Sequence, residues 1–355
     1  MSELFLIIFF ISILLFFLGT GIWVAISMIG VSAIGMLIFT SRPVGDAMAT
    51  TIWGTSSSWT LTALPLFVWM GEILFRTKLS ENLFKGLAPW MSRLPGGLIH
   101  VNVVGCALFA AISGSSAATV ATVGKMSIPE LRKRNYPEKL LLGSLAGSGT
   151  LGLLIPPSII LIIYGVTVQE SIAKLFIAGI VPGIMIAIFF MFYVIGWSII
   201  NKDVMPTVVE TFSFSRKIKD SVQLMPVIIL IVAVIGSIYM GIATATEAAS
   251  LGVVGALILS FFQKSLNKET FKLSLLGATK TSCMIAFILA GSSFLSLAMG
   301  FTGLPRNLAI WIQEMNLSPY LLIFVLTIFY IILGMFLDGI SAVVLTMAII
   351  EPMVR

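Results

Sequence analysis

Apolar residues in this chain run together; they do not alternate or recur on one helix face. A helix needs about 20 apolar residues to cross a hydrocarbon core. Charge-poor runs of that order fall at Leu4–Thr20, Trp23–Thr40, Thr60–Phe75, Leu98–Gly124, Leu140–Gly165, Leu175–Ile200, Leu224–Met240, Ala248–Phe262, Ser282–Met299 and Pro319–Leu337. A last apolar stretch, Ile340–Ile350, is too short to cross. Several runs carry Gly, Ser and Pro in their middles, and such breaks are costly in lipid unless the freed backbone groups line a cavity or pack on protein. The pattern predicts an all-α polytopic membrane protein with broken helices.

The cationic residues orient these spans. Arg76, Lys78, Lys85 and Arg93 lie in one connection, and Lys125, Arg132, Lys133, Arg134 and Lys139 in the next. Lys202, Arg216, Lys217 and Lys219 lie in a central linker, and Lys264, Lys268, Lys272 and Lys280 in another. The positive-inside rule places these four groups in the cytoplasm. The spans then alternate only if the hairpin 97–124 enters and leaves from the cytoplasmic side, with its tip near Ser113–Ser116. By the same count 319–355 is a hairpin entering from the opposite side, and the N-terminus is outside. The net charge of +6 is therefore a signal of topology, and nucleic acid is not expected as a partner.

The chain also resembles itself. At a shift of about 222 residues Gly19 meets Gly241 and Gly30 meets Gly252; nearby shifts bring PLFVWMG (Pro65–Gly71) onto IAFILAG (Ile285–Gly291) and Pro129 onto Pro352. The reading is two inverted repeats. The first, 1–200, holds scaffold spans, an interfacial arm helix 76–95, the hairpin 97–124, a broken helix 140–165 and a span 175–200. A cytoplasmic linker, 201–223, follows. The second, 224–355, holds spans 224–262 and 282–299, an arm helix 303–316 and the hairpin 319–355. Its counterparts of the last two elements of the first half would start beyond Arg355, so the second repeat is expected to be incomplete, by roughly 65–75 residues. Short matches between Gly-rich apolar sequences also arise by chance; the topology count is the independent support.

Four segments carry chemistry. The hairpin tip, Ser113, Gly114, Ser115 and Ser116, sets small hydroxyl residues around a Gly. Carbonyls freed by a helix break and Ser hydroxyls are hard oxygen ligands for Na⁺, although small residues also serve close helix packing. The segment Gly147-Ser148-Gly149-Thr150 through Pro156-Pro157-Ser158 cannot be a regular helix, because Pro removes a donor and pushes the preceding residue toward extended geometry. Two half-helices with an extended crossing are expected, their ends offering N–H groups to an anion and C=O groups to a cation. In Gly334 through Ser341, with Asp338 and Gly339 between them, Asp338 is a carboxylate inside an apolar hairpin. Ion coupling and helix capping both fit it. Thr244 and Glu247 read as a helix cap, and Glu72 as structural. The connections 76–95 and 303–316 mix apolar and charged residues at helical spacing, as interfacial helices do; on Ser80–Trp90 the apolar face is Leu83, Leu87 and Trp90.

Composition narrows the function. Hydrophobic residues make up 58% and charged residues 10%, where a soluble domain is about 25% charged. A single His and two Cys in separate apolar runs, Cys106 and Cys283, leave no metal-ligand spacing; both Cys are read as packing residues. No span pairs His, Cys or carboxylates at i, i+3 or i+4, and no phosphate-binding GxxxxGK[ST] appears, which argues against an enzyme. A channel could use broken helices, but two inverted halves imply alternating access.

Four stretches give a family. SGSSAATVATVG, GSGTLGLLIPPSIILIIYG, ATATEAASLGVVGAL and LGMFLDGISAVVLTMAIIEPMV closely resemble the large M-type membrane subunit of tripartite ATP-independent periplasmic (TRAP) transporters, in the ion transporter superfamily. The resemblance covers Leu4 to Arg355. It implies an elevator-type, sodium-coupled symporter of an organic acid anion in the bacterial cytoplasmic (inner) membrane, with Na⁺ as coupling ion and no other cofactor. It implies a small membrane Q-type subunit and a periplasmic substrate-binding protein as partners. By resemblance Ser113, Gly114, Ser115, Ser116, Gly147, Ser148, Gly149, Thr150, Pro156 and Pro157 would form one Na⁺ site. Gly334, Asp338, Gly339 and Ser341 would contribute to a second. The family's second broken helix, with its own Pro-Pro, does not appear in the sequence, which leaves that second site incomplete. A single-component sodium/dicarboxylate carrier of the same superfamily is the rival reading.

Overall fold

The computed structural model describes residues 3–76, 79–206, 213–315, 317–335 and 339–354. Among them the structure is all α, without strands. In chain order the helices are α1 (Glu3–Gly19), α2 (Val24–Phe39), α3 (Val44–Ser56), α4 (Ala63–Phe75), α5 (Leu79–Met91), α6 (His100–Ser113), α7 (Ser116–Lys133), α8 (Glu138–Gly149) and α9 (Ile159–Val168). They continue as α10 (Ile172–Ile200), α11 (Phe214–Ser221), α12 (Met225–Tyr239), α13 (Ala245–Phe262), α14 (Lys268–Thr302), α15 (Leu304–Glu314), α16 (Pro319–Gly334) and α17 (Gly339–Val354). Among the described residues four helical segments, Ile172–Ile200, Lys217–Tyr239, Ala245–Phe262 and Lys268–Thr302, are long and apolar enough to cross a membrane, and the bent pair Val44–Ser56 and Trp59–Phe75 is so when taken together. The protein is a multi-pass membrane protein.

The runs expected from sequence reappear as helices, with three differences. The run Ser282–Met299 is the second part of a continuous 35-residue helix, α14; Lys268, Lys272 and Lys280 ride on its first four turns and do not end it. Helix α3 was not anticipated, because it buries no residue and carries Asp46 and several hydroxyls. Cys106 is buried as expected, but Cys283 is exposed.

The residues form two compact units. One comprises Met1–Leu61, Ile163–Glu170 and Ser282–Arg355, the other Thr62–Ile162 and Ser171–Thr281. In the first, Leu6 and Phe10 of α1 pack with Met28 and Val31 of α2 and with Leu295, Met299 and Leu304. Its α16–α17 hairpin is tied by Tyr330 OH to Thr346 Oγ1 at 2.7 Å. The buried Ser292 hydroxyl of α14 donates to the Val344 carbonyl of α17 at 2.6 Å.

The second unit holds the first hairpin and the broken helix. Helix α4 packs along α13, and α6, α7 and α8 pack on one another. Phe67 and Phe176 meet edge to face at 6.0 Å. Helix α13 starts with the expected capping box: Thr244 N–H donates to Glu247 Oε2 at 2.8 Å and Glu247 N–H to Thr244 Oγ1 at 3.3 Å. Glu72 pairs with Arg76 one turn on, at 3.0 Å. Between α7 and α8 the exposed Arg132 guanidinium hydrogen-bonds Glu138 and holds its carboxyl below the ordinary carboxylate range. That contribution is present above the ordinary carboxylate pKa and fades as pH falls through the lowered one.

Helix α5 is clasped by α11. Leu83 and Leu87 are buried, and Trp90 donates through Nε1 to Ser221 Oγ at 2.8 Å. The Lys217 ammonium lies 5.3 Å from the centre of the Trp90 ring. Trp90→Ala removes a hydrogen bond and a cation–π contact, and is expected to cost about 1–2 kcal/mol, read as a lowered midpoint of thermal unfolding in detergent.

Candidate functional site

Helix α6 ends at Ser113 because Gly114 takes a left-handed conformation, φ 58°, and its N–H closes on Ala110 O. Ser115 is extended and caps α7, its Oγ accepting from Ala118 N–H at 3.4 Å. Two helix ends thus meet at Gly114 and Ser115: the negative end of α6 with its free carbonyls, and the positive end of α7. Hydroxyls fill the gap. Ser113 Oγ and Thr119 Oγ1 are 2.9 Å apart, and Thr119 Oγ1 donates to Ser115 O at 2.7 Å. Both side chains are buried.

The Gly147–Ser158 segment breaks as its glycines and prolines dictate. Helix α8 ends at Gly149, a short 3₁₀ turn covers Thr150–Leu153, and α9 begins at Ile159. The crossing therefore tightens through a 3₁₀ turn before it opens at the prolines, instead of being extended throughout. The peptide between Pro156 and Pro157 is cis. Thr150 Oγ1 donates to Gly147 O at 2.6 Å, and Ser158 Oγ to Leu153 O at 2.6 Å.

These two breaks are in direct contact. Ile159 N–H, at the start of α9, donates to Gly114 O at 3.3 Å. A Cβ on Gly114 would lie 2.8 Å from the Pro157 carbonyl oxygen. A Cβ on Gly152 would lie 2.9 Å from the Ser115 carbonyl carbon and 3.0 Å from Ser116 N. The tip and the crossing fit only because both positions are Gly. Asn102 of α6 adds a second tie, donating from Nδ2 to Ser144 Oγ at 3.0 Å and to Leu141 O at 3.3 Å. Asn102→Ala breaks both bonds, while Ser144 Oγ and Leu141 O remain bonded to each other; a loss of about 1–2 kcal/mol is expected in the same unfolding measurement.

Ser113, Gly114, Ser115, Ser116, Gly147, Ser148, Gly149, Thr150, Pro156 and Pro157 all fall in this one region of the second unit. Ser148 Oγ is fully buried and makes no hydrogen bond among the described residues, although the large majority of buried side-chain polar atoms find a partner. Its neighbour Gly149 abuts α7: a Cβ there would lie 3.6 Å from Ser116 O. Gly334, Gly339 and Ser341 belong to the first unit, at the end of α16 and the start of α17, with Ser341 buried. Asp338 lies outside the described residues. Thr119 and Ser158, which belong to the same polar networks, lie in the two motifs but not among the residues expected to bind the ion. The signal for each was its place inside the small-residue motif, four residues after Ser115 and directly after Pro157.

The oxygens gathered here are neutral: carbonyls, Ser and Thr hydroxyls. Among the described residues no group of His, Cys, Asp or Glu assembles as a metal site. Such a donor set fits a hard cation of low charge.

The family model described as "Tripartite ATP-independent periplasmic transporter, DctM component" matches residues 10–355. The chain belongs to this family. It is 32% identical over 318 residues to the C4-dicarboxylate TRAP transporter large permease protein DctM of Pseudomonas aeruginosa, covering 89% of this chain and 73% of that protein. It is 30% identical to the protein of the same description from Rhodobacter capsulatus, over 94% of this chain and 78% of the relative. It is 29% identical to the isethionate TRAP transporter permease protein DctMQ of Oleidesulfovibrio alaskensis, over 95% of this chain and 53% of the relative. This TRAP permease is thus a transport protein, not an enzyme, and the large membrane component of a three-part carrier that does not use ATP.

Proposed function

We propose that this permease carries out sodium-coupled symport of an organic acid anion across the cytoplasmic membrane. The observation that carries the proposal is the junction of hairpin tip and broken helix, where neutral oxygens and a buried, unpartnered Ser148 hydroxyl lie beside opposed helix ends. Na⁺ is held by tip carbonyls and by the Ser113, Ser115 and Ser148 hydroxyls, with Thr150 and the carbonyls beside Pro156 and Pro157 closing the other side. Gly334, Asp338, Gly339 and Ser341 contribute to a second ion site. The positive ends of α7 and α9 face the substrate's carboxylate or sulfonate, as half-helix N-termini do in other carriers.

The substrate arrives on a periplasmic binding protein, and a small membrane subunit completes the carrier; the DctMQ name of one relative supports this. The two relatives named for C4-dicarboxylates and the one named for isethionate support a small anion as the substrate class. The hairpins move as an elevator against a scaffold braced by the arm helices, within two inverted repeats. The membrane potential supplies about 2.3 kcal/mol per charge per 100 mV.

The test is radiolabelled uptake into proteoliposomes that contain the permease, its small partner and a panel of periplasmic binding proteins. Uptake requiring both an inward Na⁺ gradient and one binding protein is expected. Uptake unchanged when choline replaces Na⁺ would sink the coupling, and uptake indifferent to every binding protein would favour a single-component carrier.

A further inference from the structure

A cavity lies away from the hairpin tip, within the second unit. It has a volume of about 980 Å³ and is lined by Ser92–Leu98, Arg134–Tyr136, Ser198, Ile199 and Lys202–Pro206. Three of the cationic connections that the positive-inside rule assigns to the cytoplasm thus converge on one space, each with a cation: Arg93, Arg134 and Lys202. Asp203 is the carboxylate in the lining, and Glu130 approaches Arg134 to 3.7 Å. Arg93 and Lys202 are exposed.

The wall of this cavity is fixed in place. Gly96 and Gly97 both take positive φ, Gly97 N–H closes on Leu94 O at 2.8 Å, and Leu98 N–H donates to Tyr136 OH at 3.0 Å. The buried His100 anchors the loop from below through Nε2 to Pro95 O at 2.8 Å. The positive end of α6 begins in this wall, adding to the cationic field. Beside the cavity ends the 29-residue apolar helix α10, with Ile199 49%, Ile200 82% and Val204 57% exposed.

We propose that this cavity binds a phosphate-bearing anion, with Arg93, Lys202 and Arg134 around the phosphate. The exposed isoleucines next to it favour a phospholipid as the source, its acyl chains lying along α10 and its headgroup phosphate in the cavity, in the manner of basic pockets on the cytoplasmic side of other membrane proteins. Such a lipid would hold together the loop before the first hairpin, the turn between α7 and α8 and the start of the central linker.

The test uses the purified, delipidated permease with its small partner, and native mass spectrometry titrated with dioleoylphosphatidylglycerol, dioleoylphosphatidylcholine or inorganic phosphate. Phosphatidylglycerol is expected to bind more tightly than phosphatidylcholine. Arg93→Gln and Lys202→Gln are each expected to weaken it about fivefold, the effect of one basic residue near a charged lipid surface. Arg93→Lys keeps the charge and retains most of the binding, and Lys133→Gln, on a residue outside the cavity, leaves it unchanged. Inorganic phosphate that binds with the same dependence on Arg93 and Lys202, while neither lipid does, would assign the cavity to a soluble phosphate compound. Binding of both lipids with equal strength, insensitive to Arg93→Gln and Lys202→Gln in variants that unfold at the wild-type temperature, would overturn the proposal, as would no binding of any of the three.

Discussion

Gly114→Val permease is expected to reach the membrane in normal amount and to take up solute about 30- to 100-fold more slowly than the wild type. Two costs combine at this position. A left-handed backbone costs an L-residue about 1–2 kcal/mol, and φ here is 58°. The added Cβ would sit 2.8 Å from the Pro157 carbonyl oxygen, so the tip must withdraw from the broken helix and lose the Ile159 N–H to Gly114 O bond. A total of about 2–3 kcal/mol against the packed arrangement of tip and crossing gives that factor, at 1.4 kcal/mol per tenfold. Gly143→Ala is the matched control: it lies on α8 with nothing within 4 Å of a new Cβ, so it should transport as the wild type does. Wild-type uptake by Gly114→Val would show that the contact between tip and crossing is dispensable.

The parts of this architecture that are legible in sequence are those written in local chemistry. A Thr three residues before a Glu specifies the cap of α13, and the bonds are there. Two consecutive prolines after three glycines must break a helix, and α8 and α9 are separated at that point. The SGSS motif must interrupt the first hairpin, and Gly114 does so. What could not be read is tertiary. Nothing local marks Asn102 as the tie between α6 and α8, because its partners, Leu141 and Ser144, lie about 40 residues away. The length of α14 was hidden because Lys268, Lys272 and Lys280 look like a connection when charge alone is counted, whereas charged residues on the end turns of a helix are compatible with its continuing. Helix α3 was hidden because a polar helix that buries no residue has no apolar stripe to show. The cavity at Arg93, Arg134 and Lys202 was visible only as three separate topology signals.

Ser148→Ala is expected to separate stability from ion binding, moving them in opposite directions. The wild-type hydroxyl is buried with no hydrogen-bond partner among the described residues, and such a group carries a desolvation cost of about 1–3 kcal/mol. Removing it should leave thermal stability unchanged or raise it. If the hydroxyl is a Na⁺ ligand, the same change removes an oxygen that satisfies the ion, an interaction with a charged group of about 1.5–3 kcal/mol. The Na⁺ concentration for half-maximal uptake should then rise roughly tenfold to hundredfold, at 1.4 kcal/mol per tenfold. The stabilisation that added Na⁺ gives the wild type should shrink in step, since a ligand stabilises the folded state in proportion to RT ln(1 + [L]/Kd). A packing role predicts a different pair of results: Na⁺ dependence unchanged, and stability shifted equally with and without the ion. Ser113→Ala does not offer the same separation, because the Ser113 hydroxyl already bonds Thr119 at 2.9 Å, and its loss would lower stability whether or not Na⁺ is bound. The unpartnered hydroxyl is therefore the position at which the proposed ion-binding role of the broken helix can be tested apart from its folding.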